Sequence, residues 1–325
     1  MGKTALLFPG QGSQAVGMGK DLHDHFPEAR EVIDRARAKI GTKYMDVMFA
    51  GPEEKLRETR FTQPALFIAS LAAHAVLVKA GVKADFAAGH SLGEYSALCA
   101  AGAFDFETGL ELVKARGEFL QEASQSIPGT MAAFIGLERA TVEEICQKAS
   151  AQGVCQPVNF NCPGQIVIAG AVAAVETAVA LAQAAGATKS VRLSVSGPFH
   201  SSLMVPAAQK MKAVLDRAAV KDAVIPVVMN CDARPERSAE EIRRKLVLQI
   251  DHPVLWEDSL KALFAAGAET FIEVGPGRVL SGLLRRTDKA KKFSNIEDRK
   301  SADALLAAAA RGRPGSSDGA AAVSR

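Results

Sequence analysis

The chain has 325 residues, of which 48% are hydrophobic and 23% charged, and its formal net charge is +3. That length exceeds one ordinary domain of roughly 100–200 residues, and the composition suits a globular protein with a sizeable core. So small a charge argues against nucleic-acid or membrane partners, and 6% aromatic residues without basic interleaving argue against a base-stacking platform.

The opening MGKTALLFPG leads into a strand-like run without a signal-peptide pattern, and Leu6 leaves the myristoylation pattern unmet. No apolar run is read as approaching the roughly 20 residues of a membrane span. Five cysteines show neither CxxC nor zinc-type Cys/His spacing, so reduced thiols, a cytoplasmic location and no metal are expected. Short β-type runs bounded by glycine alternate with amphipathic helical stretches, which is the pattern of a mainly parallel sheet covered by helices. The predicted strands are 4–8, 85–89, 225–229, 270–274 and 292–296; the predicted helices are 63–80, 91–101, 105–125, 203–218, 239–250 and 256–266. Thr62, ahead of Gln63-Pro64, is the expected N-cap of the first helix, and Gly81, Gly102 and Gly267 are expected C-terminal caps.

Residues 127–196 read differently, as strand 131–137, helix 140–151, strands 154–160 and 165–170, helix 171–185 and strand 189–193. That βαββαβ order is ferredoxin-like. The expected fold class is therefore α/β, with a larger hydrolase-like domain (1–126 and 197–310) interrupted by a small ferredoxin-like domain (127–196). An Ala-rich exposed helix and a disordered tail (311–325) would follow.

Gly89-His90-Ser91-Leu92-Gly93 lies between a buried strand and a helix, where a sharp turn would expose the serine hydroxyl. The pentapeptide alone leaves Ser91 as either a nucleophile or a helix cap. A nucleophilic serine needs a base. His23 and His25 lie in a charged helical stretch, His74 in an apolar helix, and His252 before Pro253 at a helix end. His90 adjoins the serine, so its ring should point away yet still line a pocket. His200, in the glycine-proline loop SGPFHSSLM, is the favoured base, with a backbone-bonded turn residue as the alternative. About 125 residues follow His200, which fits the serine, acid, histidine order of α/β hydrolases poorly. Something other than a carboxylate is therefore the expected partner of the imidazole.

Seven segments, in order, carry a family resemblance: FPGQGSQ (8–14), GHSLGEYSAL (89–98), VKARGEFLQ (113–121), VNFNCPGQIVIAG (158–170), SGPFHSSLM (196–204), LVLQIDHPVLWEDSL (246–260) and EVGPGRVLSGLLRR (273–286). Over about residues 1–300 the chain closely resembles the malonyl-CoA:acyl-carrier-protein transacylases of bacterial fatty-acid synthesis and the related acyltransferase domains of polyketide synthases. The resemblance implies a ping-pong transfer of malonyl from malonyl-CoA through Ser91 to the phosphopantetheine thiol of acyl carrier protein. It makes His200 the base and then the acid, held by the main-chain carbonyl of Gln249, and places the oxyanion hole at the N–H groups of Gln11 and Leu92. Arg116, which periodicity alone would leave on the surface, becomes the partner of the malonyl carboxylate. His90, Asn161 and Phe199 are further substrate-binding candidates, while turn chemistry explains Asn159 and Asn161 equally well and Gln165 is placed beside them. The family uses no cofactor, with malonyl-CoA a substrate, and a monomer is expected. Lys189, Arg192, Arg285 and Arg286 are candidates for docking the acidic carrier protein. The competing readings are a serine hydrolase of esterase or thioesterase type and a carrier-protein-binding scaffold with a degenerate site.

Overall fold

Residues 2–193 and 197–311 are described by the computed structural model of the chain. The first strand, β1 (Lys3–Phe8), is buried from Ala5 to Phe8, as a parallel strand covered on both faces must be. Its side chains alternate between two cores: Leu6 and Phe8 face one, Ala5 and Leu7 the other. Burying each leucine contributes about 1.5–3 kcal/mol. Five helices follow: α1 (Lys20–His25), α2 (Pro27–Ile40), α3 (Thr42–Ala50), α4 (Glu53–Leu56) and α5 (Thr59–Lys79). On α2 the buried residues Ala29, Ile33 and Ala36 recur at helical spacing, so one stripe faces the core and the charged remainder faces water.

Two expectations fail at α5. The helix begins at Thr59, so Thr62 is no N-cap; its hydroxyl donates back to the carbonyls of Leu56 and Glu58 from within the first turns. The start escapes a local reading because Thr59 N–H is satisfied by Gln121 Oε1 at 3.0 Å, from a helix 62 residues away. The helix, at 21 residues, is also long and apolar enough to span a membrane, contrary to expectation, but 83% of its most apolar stretch is buried inside the protein. It is a core helix packed between α2 and a later helix.

Next come β2 (Phe86–Gly89), α6 (Gly93–Ala100) and α7 (Phe106–Ser126), the last capped by Asp105, whose side chain accepts from Thr108 N–H at 2.8 Å. Then follow β3 (Thr130–Ile135), α8 (Arg139–Ala149), β4 (Cys155–Cys162), β5 (Gln165–Gly170), α9 (Val172–Ala184) and β6 (Lys189–Arg192), whose four strands form a separate antiparallel sheet in the order β4-β5-β3-β6. One face of it packs on α8 and α9 around Phe134, Ile145 and Ile168. This is the ferredoxin-like order expected.

The chain continues through α10 (Val205–Leu215), β7 (Val227–Val228), β8 (Pro235–Glu236), α11 (Ala239–Leu248), α12 (Trp256–Ala265), β9 (Ala268–Val274), α13 (Val279–Thr287), β10 (Lys292–Ile296) and α14 (Arg299–Arg311). The larger sheet runs β10-β9-β1-β2-β7-β8, parallel throughout except for β8. The expected strand at 225–229 shrinks to two residues, and β8 adds an antiparallel edge outside the expected strands. Helix α14 is not an exposed helix, since Ala302 and Leu305 are buried in the main core. The expected tail beyond 311, and the junction at 194–196, lie outside the described residues. The two sheets are joined where β4 meets the segment before α12: Phe160 N–H donates to Val254 O at 3.0 Å and Val254 N–H to Val158 O at 2.8 Å.

Candidate active site

The turn between β2 and α6 holds Ser91 at φ 51°, a left-handed conformation that costs a non-glycine residue about 1–2 kcal/mol. The flanking glycines are required by contact. A Cβ on Gly89 would lie 2.0 Å from the backbone of Gly93, and one on Gly93 would lie 2.0 Å from Phe8 O. Strand, turn and helix are thus pressed together with no room for a side chain. Ser91 does not cap α6, whose first turn lacks any side-chain cap. Its hydroxyl meets His200 Nε2 at 2.7 Å instead.

His200 also has a positive φ, 61°, and is buried. Its Nδ1 lies 2.7 Å from Gln249 O. A carbonyl only accepts, so Nδ1 carries the proton and Nε2 is left to accept from the Ser91 hydroxyl. Burial, reinforced by the nearby Arg116 charge, pushes the His200 pKa down to about 3, so the imidazole is neutral at physiological pH and ready to take a proton. The carbonyl orients the ring as a carboxylate would, without adding a charge.

Arg116 sits on the buried stripe of α7 with Val113 and Leu120 and is 1% exposed. Its Nη2 donates to Gln249 Oε1 at 2.9 Å and to Ser91 Oγ at 3.2 Å. Nε and Nη1 are buried without a hydrogen-bond partner among the described residues, and the guanidinium carbon lies 5.5 Å from the Tyr95 ring centre. Burial lowers its pKa from the ordinary value, yet a guanidinium keeps its proton in proteins. Among the described residues no carboxylate pairs with it. The buried Glu94 bonds to Asn230 N–H instead, and burial pushes its carboxyl up to about 8. An unpaired buried cation with two free donors is costly unless an anion arrives.

Ser91, His200, Gln11, His90 and Phe199, all singled out from the sequence, line one cavity of about 100 Å³. Gln63, Met131, Asn159 and Leu193 complete its wall, and of these only Asn159 is a candidate from the sequence. Their signal is weak: Met131 and Leu193 are ordinary apolar residues at strand positions, and Gln63 lies inside the misplaced helix start. Leu92 has its side chain in the core, leaving its main chain at the first turn of α6. Asn161 is turned from the cavity to His90, its Oδ1 2.9 Å from Nε2. Gln165 is turned away altogether, accepting from Arg286 at 3.1 Å. Gly275 lies behind the Gln11 loop, where a Cβ would meet Ser70 Oγ and the Pro9 ring. Lys189 and Arg192 are exposed on β6, and Arg285 and Arg286 at the end of α13. Among the described residues no group of three His, Cys, Asp or Glu side chains could hold a metal ion.

The chain matches the acyl transferase domain family over residues 5–311. It is 45% identical over 299 residues to the malonyl CoA-acyl carrier protein transacylase of Bacillus subtilis strain 168, covering 92% of this chain and 94% of that protein. It is also 45% identical over 287 residues to the Escherichia coli K12 protein of the same name, covering 88% and 93%. Among solved structures, a malonyl-transacylase in holo complex with its type II polyketide synthase acyl-carrier protein superposes with a TM-score of 0.90 at 41% identity, covering 94% of this chain and 99% of that one. With this coverage and identity, the chain belongs to the malonyl CoA-acyl carrier protein transacylases, a family of acyltransferases.

Proposed function

We propose that the protein moves a malonyl group from malonyl-CoA to the phosphopantetheine thiol of acyl carrier protein through a malonyl ester on Ser91. The observation that carries this reading is the buried Arg116 guanidinium, with two donors unpartnered among the described residues, hydrogen-bonded to the hydroxyl that His200 also contacts. A nucleophile and its base alone would suit any acyl group. A cation at the same point suits an acyl group that ends in a carboxylate.

In the first half-reaction Ser91 Oγ attacks the thioester carbonyl while His200 Nε2 takes its proton. The Gln11 and Leu92 N–H groups receive the developing oxyanion, Leu92 with the favourable end of the α6 dipole behind it. As the tetrahedral intermediate collapses, the C–S bond breaks and His200 returns the proton to the departing thiolate. The carrier-protein thiol then gives its proton to His200, attacks the ester, and Ser91 leaves with that proton. The Gln249 carbonyl stabilises the imidazolium in both passages. Gln249 also joins the two functions, because its side chain accepts from Arg116 while its main chain accepts from His200. Malonyl-CoA is a substrate here and no separate cofactor takes part. The exposed Lys189, Arg192, Arg285 and Arg286 are read as the basic side chains that guide the carrier protein.

The test is mass spectrometry of the protein after mixing with malonyl-CoA, with and without holo acyl carrier protein. The expected result is a malonyl adduct that appears on the parent, is absent from Ser91→Ala, and passes to the carrier protein, with transfer falling on the order of 10⁶-fold in the variant. Release of free malonate faster than transfer, with carrier protein present, would show a hydrolase and overturn the reading.

A further inference from the structure

Asn230 follows β7, next to β2 in the larger sheet, and is fully buried. Its side-chain amide grips the Ser91 turn from both ends. Oδ1 accepts from Ser91 N–H at 2.8 Å, and Nδ2 donates to Gly89 O at 2.7 Å. The arrangement fixes the amide orientation, since a flipped group would set N–H against N–H and oxygen against oxygen. Gln249 completes the clamp, its Nε2 donating to Ser91 O at 2.8 Å and, more weakly, to Asn230 Oδ1 at 3.4 Å.

Asn230 is itself held firmly. Its N–H donates to the Glu94 carboxyl on α6, and its carbonyl accepts from Leu255 N–H at 2.9 Å. The turn beyond it is fastened by the buried Lys245, which pairs with Asp232 at 2.9 Å and Glu236 at 3.1 Å. Lys245 belongs to α11, the helix whose C-terminal cap is Gln249. One rigid assembly therefore fixes the nucleophile turn, the acceptor carbonyl of the base and the partner of the guanidinium.

A left-handed serine persists only where its surroundings over-determine it. Of the three side-chain hydrogen bonds to the turn's main chain among the described residues, two come from Asn230. Asn230 is absent from the cavity wall and contacts no reacting atom. We propose that Asn230 is a positioning residue for acyl transfer, its side-chain amide holding the Ser91 turn in the conformation that aims Oγ at His200. This rests on the reading of Ser91 as the acyl-carrying serine.

The experiment compares the parent with Asn230→Ala and Asn230→Asp at a temperature where each is folded by circular dichroism. It measures the single-turnover rate of Ser91 malonylation, KM for malonyl-CoA, and the rate of Ser91 labelling by phenylmethylsulfonyl fluoride. Displacing the hydroxyl should slow malonylation by about 10²-fold in Asn230→Ala. Labelling should slow in parallel, while KM, set by Arg116, stays within about threefold. Asn230→Asp keeps the acceptor for Ser91 N–H and loses the donor to Gly89 O, so it should fall between parent and Asn230→Ala, and it decides the matter if the alanine variant does not fold. Malonylation and labelling within about threefold of the parent in a folded variant overturn the proposal. A parent that forms no malonyl adduct on Ser91 overturns the functional reading instead.

Discussion

In the six-stranded sheet two groups that meet at the cavity follow the carboxyl ends of neighbouring strands, Gln11 after β1 and Ser91 after β2, and Asn230, outside the cavity after β7, holds the turn from behind. The four-stranded sheet contributes side chains from within its strands, Met131 of β3 and Asn159 of β4, with Leu193 just past β6. A parallel sheet buried on both faces leaves its chemistry to the strand ends, where short turns press main chains together and hydrogen bonds lock them. An antiparallel sheet with one free face offers that face as a wall. The first arrangement fixes the atoms proposed to react; the second shapes the space before them.

The sharpest break between the two should come at Arg116. Removing the guanidinium leaves a bound carboxylate buried and unpaired, so Arg116→Ala should cut the preference for malonyl-CoA over acetyl-CoA by about 10²–10³-fold in kcat/KM. An unchanged preference would place carboxylate recognition elsewhere, on the wall.

Proton linkage gives a second contrast. The strand-end region buries His200 with its pKa pushed from 6.5 to about 3. Between those values the unfolded chain binds more protons there than the native one, so stability should fall as pH drops from 6.5 toward about 3. Replacing the ring by the non-titrating His200→Gln should flatten that decline in urea unfolding series taken at stepped pH. An unaltered slope would assign the acid sensitivity to other groups, such as His74, whose burial lowers its pKa to about 4.

The smallest effect is expected at the wall. Met131→Ala enlarges a cavity of about 100 Å³ without touching Ser91, His200 or Arg116. It should improve methylmalonyl-CoA relative to malonyl-CoA by about tenfold in kcat/KM. Loss of malonyl transfer comparable with that in Arg116→Ala would erase the distinction between anchored chemistry and shaping wall.

Much was legible along the chain because it is local. Glycine spacing around Ser91, apolar runs of strand length and βαββαβ alternation can each be read within a short window, and the two-sheet architecture agrees with them. Other features had no local trace. Helix α5 starts where a glutamine from α7 caps it. Arg116 reads locally as a surface charge, because arginine is mostly exposed, whereas the helix buries it. The carbonyl that orients His200 leaves no signature, since every residue carries one; only the family resemblance directed attention to Gln249.

The sequence by itself determined the elements, the cramped serine turn and the residue types available for acyl transfer. The tertiary structure decided which of them meet: Ser91 with His200, 109 residues apart, and Ser91 with Asn230, 139 apart. Those pairings depend on strand order and on the packing of α7 and α11 beneath the turn, which no window of the sequence contains. Burial then gave the pairings their chemistry, by keeping the imidazole neutral and the guanidinium unpaired with any carboxylate among the described residues.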